Sequence, residues 1–271
     1  MRSTCSLIII LLTLSACSSD SVETSDPTPS QVDLIDQPDI IEKIHSNNLA
    51  IPDNRFSNNY EVLIFGNSHT SKLSSLIETL ISTGKPYAKI KIINAGGGFL
   101  DNITQKRTDL LENNPWTHVI LQGQKYSQSG SIIYPTTAAQ MWIDKAKRYK
   151  ITPILFPEHP QEGNTTEGGR VHRIHTSIAN IQRSCVAPVG LAWDKVITIE
   201  PQLVLHSSDG NHAAFLGKLL TAFVFYEVIT GEAADLLPFI KEIEVEESTQ
   251  QLLKQLASET IQSNQPCLFG N

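Results

Sequence analysis

The chain has 271 residues, 40% of them hydrophobic and 18% charged, with a formal net charge of −7. This length and apolar content support one sizeable domain with a buried core. The acidic balance argues against nucleic acid as a main partner, and no apolar run after residue 16 is long enough to cross a bilayer.

Residues 1–16 read as a targeting segment outside the fold, with Arg2 before an apolar run from Leu7 to Leu12. The following Leu14-Ser15-Ala16-Cys17 resembles the bacterial lipobox. That resemblance implies cleavage before Cys17, lipid attachment to it and anchoring in the bacterial cell envelope; Ser18 implies the outer membrane. The plainer alternative is an ordinary cleaved signal with an incidental cysteine. Residues 17–37, rich in Ser, Asp, Thr and Pro, read as a disordered tether. Residues 38–271 form the domain. Once Cys5 and Cys17 are set aside, Cys185 and Cys267 remain, either paired in an oxidising compartment or as two buried thiols.

A short helix is expected over 38–47, where Ile40, Ile41 and Ile44 share a face, then a loop over 51–59. Strands are expected at 62–65, 88–93, 117–121 and 151–156, with a fifth inside 185–191. Helices are expected at 71–83, 100–112, 136–149, 169–184 and 213–229, and an amphipathic helix ends the chain. Residues 94–98 and 122–125 read as loops. Strands alternating with helices give parallel pairing with right-handed crossovers. The predicted fold is α/β, a three-layer α/β/α sandwich around a five-stranded parallel flavodoxin-like sheet.

Ser68 stands just past the first strand, at the sheet edge where ligands bind in such folds. A serine hydroxyl needs a base to take its proton, and a His base needs a carboxylate to hold its ring. Asp209-Gly-Asn-His212 offers both, three residues apart. Without these partners, Ser68 would read as a helix N-cap and Asp209-Gly-Asn as a turn. The glycines at 96–98 lack a following G-K-[ST], so a nucleotide loop is not expected. His172 and His175 read as an exposed helix face rather than metal ligands, since no third ligand is evident. Trp116 and Trp142 read as core.

Gly66-Asn67-Ser68 and Asp209-x-x-His212 resemble the first and last blocks of the SGNH (GDSL-like) hydrolase superfamily, with Asn67 for the usual Asp. A branch with a G-N-S-[FH]-T first block, a Gln-rich third block and a D-G-x-H-x-x-x-x-G fifth block is more similar still. Here these are residues 66–70, 122–124 and 209–217, together with Ala187-Pro-Val-Gly-Leu-Ala-Trp193. The resemblance covers residues 60–231. It implies ester hydrolysis through an acyl-serine, with Ser68 as nucleophile, His212 as base and Asp209 as its orienter. It implies an oxyanion hole from the Ser68 N–H, a glycine N–H at Gly97 or Gly98, and a third-block side chain. The family's Asn is replaced there, leaving Gln124 first and Gln122 second. Asn67, His69, Glu158, His159 and Trp193 are candidates for the substrate pocket. His69 either contacts substrate or shields the site.

The resulting expectation is a lipid-anchored serine esterase or acylhydrolase without metal or cofactor. Its substrate would be a small-molecule or carbohydrate ester, an O-acetylated sugar among them; acyl transfer would use the same residues. The alternative is an inactive envelope lipoprotein that binds a glycan or an acylated ligand.

Overall fold

The computed structural model describes residues 48–270. The targeting segment, Cys17, the tether and the helix expected over 38–47 lie outside the described residues.

Five strands, β1 (Asn59–Gly66), β2 (Lys89–Gly97), β3 (His118–Leu121), β4 (Thr152–Leu155) and β5 (Cys185–Val186), form one parallel sheet in the order β2-β1-β3-β4-β5. Among the described residues seven α-helices accompany them: α1 (Leu73–Gly84), α2 (Gln105–Glu112), α3 (Thr137–Arg148), α4 (Glu167–Ile181), α5 (Val189–Ile199), α6 (Phe215–Thr230) and α7 (Glu247–Ser263). Successive strand residues point to opposite faces. Val62, Ile64, Ile120 and Ile154 pack with α1, α5, α6 and α7. Leu63, Phe65, Val119, Leu121 and Leu155 pack with Leu111 of α2, Trp142 and Ile143 of α3, and Ile178 of α4. The chain is thus the α/β/α sandwich its periodicity predicts, with Trp116 and Trp142 buried.

Helix α6 is apolar nearly all round because it is enclosed by α1, α5 and α7 as well as lying in the sheet-facing core. Its first turn meets α5 closely: a Cβ on Gly217 would lie 2.4 Å from both Leu205 O and the Trp193 ring. Trp193 Nε1–H donates to Thr221 Oγ1 at 3.0 Å.

Three local expectations are corrected. The stretch 185–191 holds only two strand residues before Pro188 precedes α5, a helix the sequence reading did not place. Strand β2 continues through Asn94 to Gly97, where a loop was expected, by pairing with the end of β1 across a register shift. The helix expected from residue 100 begins at Gln105, where Thr104 Oγ1 accepts Arg107 N–H at 3.3 Å.

Cys185 and Cys267 are joined as a disulfide, and Val186 N–H donates to Pro266 O at 2.7 Å, so the C-terminal tail is held against β5. At the N-terminal edge of the sheet Asn48 is clasped between Ile181 O (3.0 Å) and Arg183 N–H (3.0 Å), and Lys147 Nζ donates to Asn48 Oδ1 at 2.9 Å.

Candidate active site

β1 ends in a glycine for a steric reason: a Cβ on Gly66 would lie 2.5 Å from Gln122 Oε1 and from Thr70 Cγ2. The chain then turns through Asn67, whose Oδ1 accepts His69 N–H at 3.0 Å and whose carbonyl accepts Thr70 N–H at 3.2 Å. Asn67, not Ser68, is therefore the cap of this short Ser68–Thr70 turn. α1 starts only at Leu73. Ser68 is left exposed with its hydroxyl free for another partner.

That partner comes from the loop before α6. His206 and Ala213 form an antiparallel bridge, and Gly210 turns the chain at φ +67°. Asp209 Oδ1 accepts Asn211 N–H (3.0 Å), His212 N–H (2.9 Å) and Ser207 Oγ–H (2.8 Å). Its other oxygen accepts His212 Nδ1–H at 2.6 Å, which leaves Nε2 as the acceptor for Ser68 Oγ–H at 2.8 Å. The backbone bond from His212, then its ring, Asn211 N–H and Ser207 hold the Asp209 carboxyl well below the usual carboxylate range. Ser68, His212 and Asp209, 144 residues apart at the extremes of the first contact, thus form one continuous hydrogen-bonded line.

The remaining candidates divide. His69 does not project into solvent. It stacks on His212 with ring centroids 5.1 Å apart and planes 20° from parallel, and burial lowers its imidazole pKa. His159 is buried, and its Nε2–H donates to Asn211 O at 3.0 Å. Burial, foremost, pushes its pKa down to about 3, so it is neutral at ordinary pH. Trp193 is fully buried behind His159, so it supports the site from within the core and does not wall a pocket. The Glu158 side chain is 15% exposed and accepts Gln122 Nε2–H at 2.6 Å.

Gln124, the first choice for the oxyanion donor, is corrected. Its Nε2 donates to both Lys125 O (2.9 Å) and Pro135 O (3.0 Å), in the wall of a cavity of about 280 Å³ also lined by Ile103, Tyr134 and Met141. Both amide hydrogens are occupied within its own loop. Gln122 keeps one amide hydrogen beyond the bond to Glu158, and its Oε1 accepts Asn67 N–H at 2.7 Å. The Gly98 N–H is already donated to Gly66 O at 3.0 Å. Gly97, at φ +99°, packs so closely on Arg107 that a Cβ would lie 2.9 Å from its Nε.

His175 is buried, against the expectation of an exposed helix face, with Nδ1–H donating to Val171 O at 2.8 Å. Ser207 and Asn211, which secure Asp209 and His159, carried no signal in the sequence beyond their closeness to Asp209.

No family model matches the chain, and no curated protein matches it. Solved structures do. A DUF4886 family protein from Bacteroides uniformis superposes with a TM-score of 0.57 at 14% identity, over 78% of this chain and 98% of that one. A catalytic mutant of an acetylxylan esterase from Geobacillus stearothermophilus gives 0.51 at 15% identity, over 64% and 95%. A protein described as an SGNH hydrolase from Slackia heliotrinireducens gives 0.50 at 19% identity, over 62% and 98%. With the parallel sheet, its strand order and these superpositions together, the chain has the fold of the SGNH hydrolases.

Proposed function

We propose that the chain is a serine ester hydrolase. The observation that carries this reading is the unbroken line from Ser68 Oγ through His212 to Asp209, at 2.8 and 2.6 Å. As Ser68 Oγ attacks an ester carbonyl carbon, its proton passes to His212 Nε2, and Asp209 stabilises the imidazolium. The tetrahedral oxyanion collapses by breaking the bond to the alcohol oxygen, which takes the proton from His212. Water then repeats the sequence on the acyl-serine and releases the acid. The oxyanion donors in this reading are the Ser68 N–H and that of Gly97 as the remaining glycine; Gln122 is fully buried and does not reach the substrate oxygen.

A carbohydrate O-ester is the favoured substrate class, supported by the fold shared with an acetylxylan esterase. Lipidation at Cys17 would place the enzyme in the bacterial envelope, at the outer membrane.

The test is turnover of a panel of short acyl esters and acetylated sugars by the chain without residues 1–37, beside Ser68→Ala. Activity abolished in the variant supports the reading. Equal rates in both overturn serine catalysis at Ser68, and no activity in either overturns the reading in favour of a glycan- or acyl-binding protein.

A further inference from the structure

The C-terminal ends of three adjacent strands are stitched together beside Ser68. Gln122, immediately after β3, is fully buried. Its Oε1 accepts Asn67 N–H after β1 at 2.7 Å, and its Nε2–H donates to Glu158 Oε2 after β4 at 2.6 Å. These partners fix the amide in one orientation, because a backbone N–H can only donate and a carboxylate can only accept. Asn67 in turn holds the Ser68 turn through its Oδ1 and its carbonyl. The same Glu158 oxygen lies 3.8 Å from His69 Nε2, and His69 stacks on His212. A mostly buried carboxylate is costly unless its charge is met by donors. Here Gln122, which touches the nucleophile's turn, donates to it, and His69, which touches the base's ring, lies beside it without a hydrogen bond.

We infer that Glu158 is a positioning residue for the Ser68–His212 pair, acting through Gln122 on the serine turn and through His69 on the imidazole. This rests on the serine-hydrolase reading. Glu158 touches neither Ser68 nor His212 by hydrogen bond; its effect is to hold both within the short distance that proton transfer needs. A loss of order in either arm would slow the step in which Ser68 gives up its proton and leave substrate affinity nearly unchanged.

The experiment compares wild type, Glu158→Gln, Gln122→Met, His69→Phe and the double variant Glu158→Gln/Gln122→Met. Two readouts are used: steady-state kinetics on the best ester found, and the rate at which a fluorophosphonate labels Ser68, followed by mass spectrometry. The expected result is a fall of about 10–100-fold in kcat and in labelling rate for Glu158→Gln, KM within about threefold, and an unchanged melting temperature. The double variant should be no worse than the more damaged single one, because both act along one path. Should Glu158→Gln fail to fold, Gln122→Met and His69→Phe carry the same test. Labelling of Glu158→Gln, or of both substitute variants, at the wild-type rate overturns this inference alone. If wild type neither turns over esters nor is labelled, the serine-hydrolase reading fails and this inference with it.

Discussion

His159 lies flat against Trp193, ring centroids 3.9 Å apart and planes 12° from parallel. Its far nitrogen reaches Asn211 O in the loop that carries Asp209 and His212. Core packing is thereby transmitted to the loop. Trp193 is itself wedged against Gly217, where α6 begins. Gly217→Ala should therefore push Trp193 or the Leu205 backbone aside, destabilising the fold by about 1–3 kcal/mol. Because the displaced ring backs His159, kcat should fall too. Urea denaturation and ester turnover on the same preparation check both effects.

Asp209→Asn tests the orienting carboxylate. Asp209 is exposed, so the fold should be little affected. The amide cannot fix the same imidazole tautomer, and kcat should drop by about 10²–10⁴-fold. Thermal melts and kcat measured side by side separate the two.

Acid should weaken the protein through buried imidazoles. Burial pushes His118 and His159 down to about 3 and His175 to about 4. In the unfolded chain each takes up a proton near pH 6.5. Between these values the unfolded state binds more protons, so stability falls as pH drops from about 6.5, by at most about 1.4 kcal/mol per pH unit per imidazole. Asp194, pushed up to about 6 by burial, and Glu227, also raised by burial, act in the opposite sense over part of this range. His175→Met isolates the effect, since its Nε2 is buried with no hydrogen-bond partner among the described residues. The slope of the urea midpoint between pH 6.5 and 4 should be shallower in the variant.

Breaking the Cys185–Cys267 link, which spans 82 residues, should destabilise the fold by about 2–5 kcal/mol. It lies at the start of β5, and Ser68 lies past the end of β1. Cys267→Ser should therefore lower the denaturation midpoint while the folded fraction retains its kcat. Reductant should reproduce the shift in wild type and leave the variant unmoved.

The sheet was readable because Val62–Phe65, His118–Leu121 and Thr152–Leu155 are short apolar runs closed by turn residues, and a buried parallel strand requires that pattern. Ser68, Asp209 and His212 were readable because their roles depend on local spacing and on a strand end. α5 was missed because Pro188 and Gly190 look like loop residues; only burial against α4, α6 and α7 makes the segment helical. The fate of Gln124 depends on Pro135 O, eleven residues away, and the stacking of His69 on His212 is a contact no local pattern encodes. Glu158 was placed on the right edge of the sheet, but its tie to Gln122 exists only once β3 and β4 are side by side.

The clasp on Asn48 sits at the edge of the sheet where strands begin, while Ser68 crowns the edge where they end. Load applied to Asn48 is thus taken up by Ile181, Arg183 and Lys147, at the pole remote from Ser68. A graft to a bead or a sensor chip made at Asn48 itself would meet the domain at the pole away from Ser68, leaving the Ser68–His212–Asp209 line clear of the point of attachment.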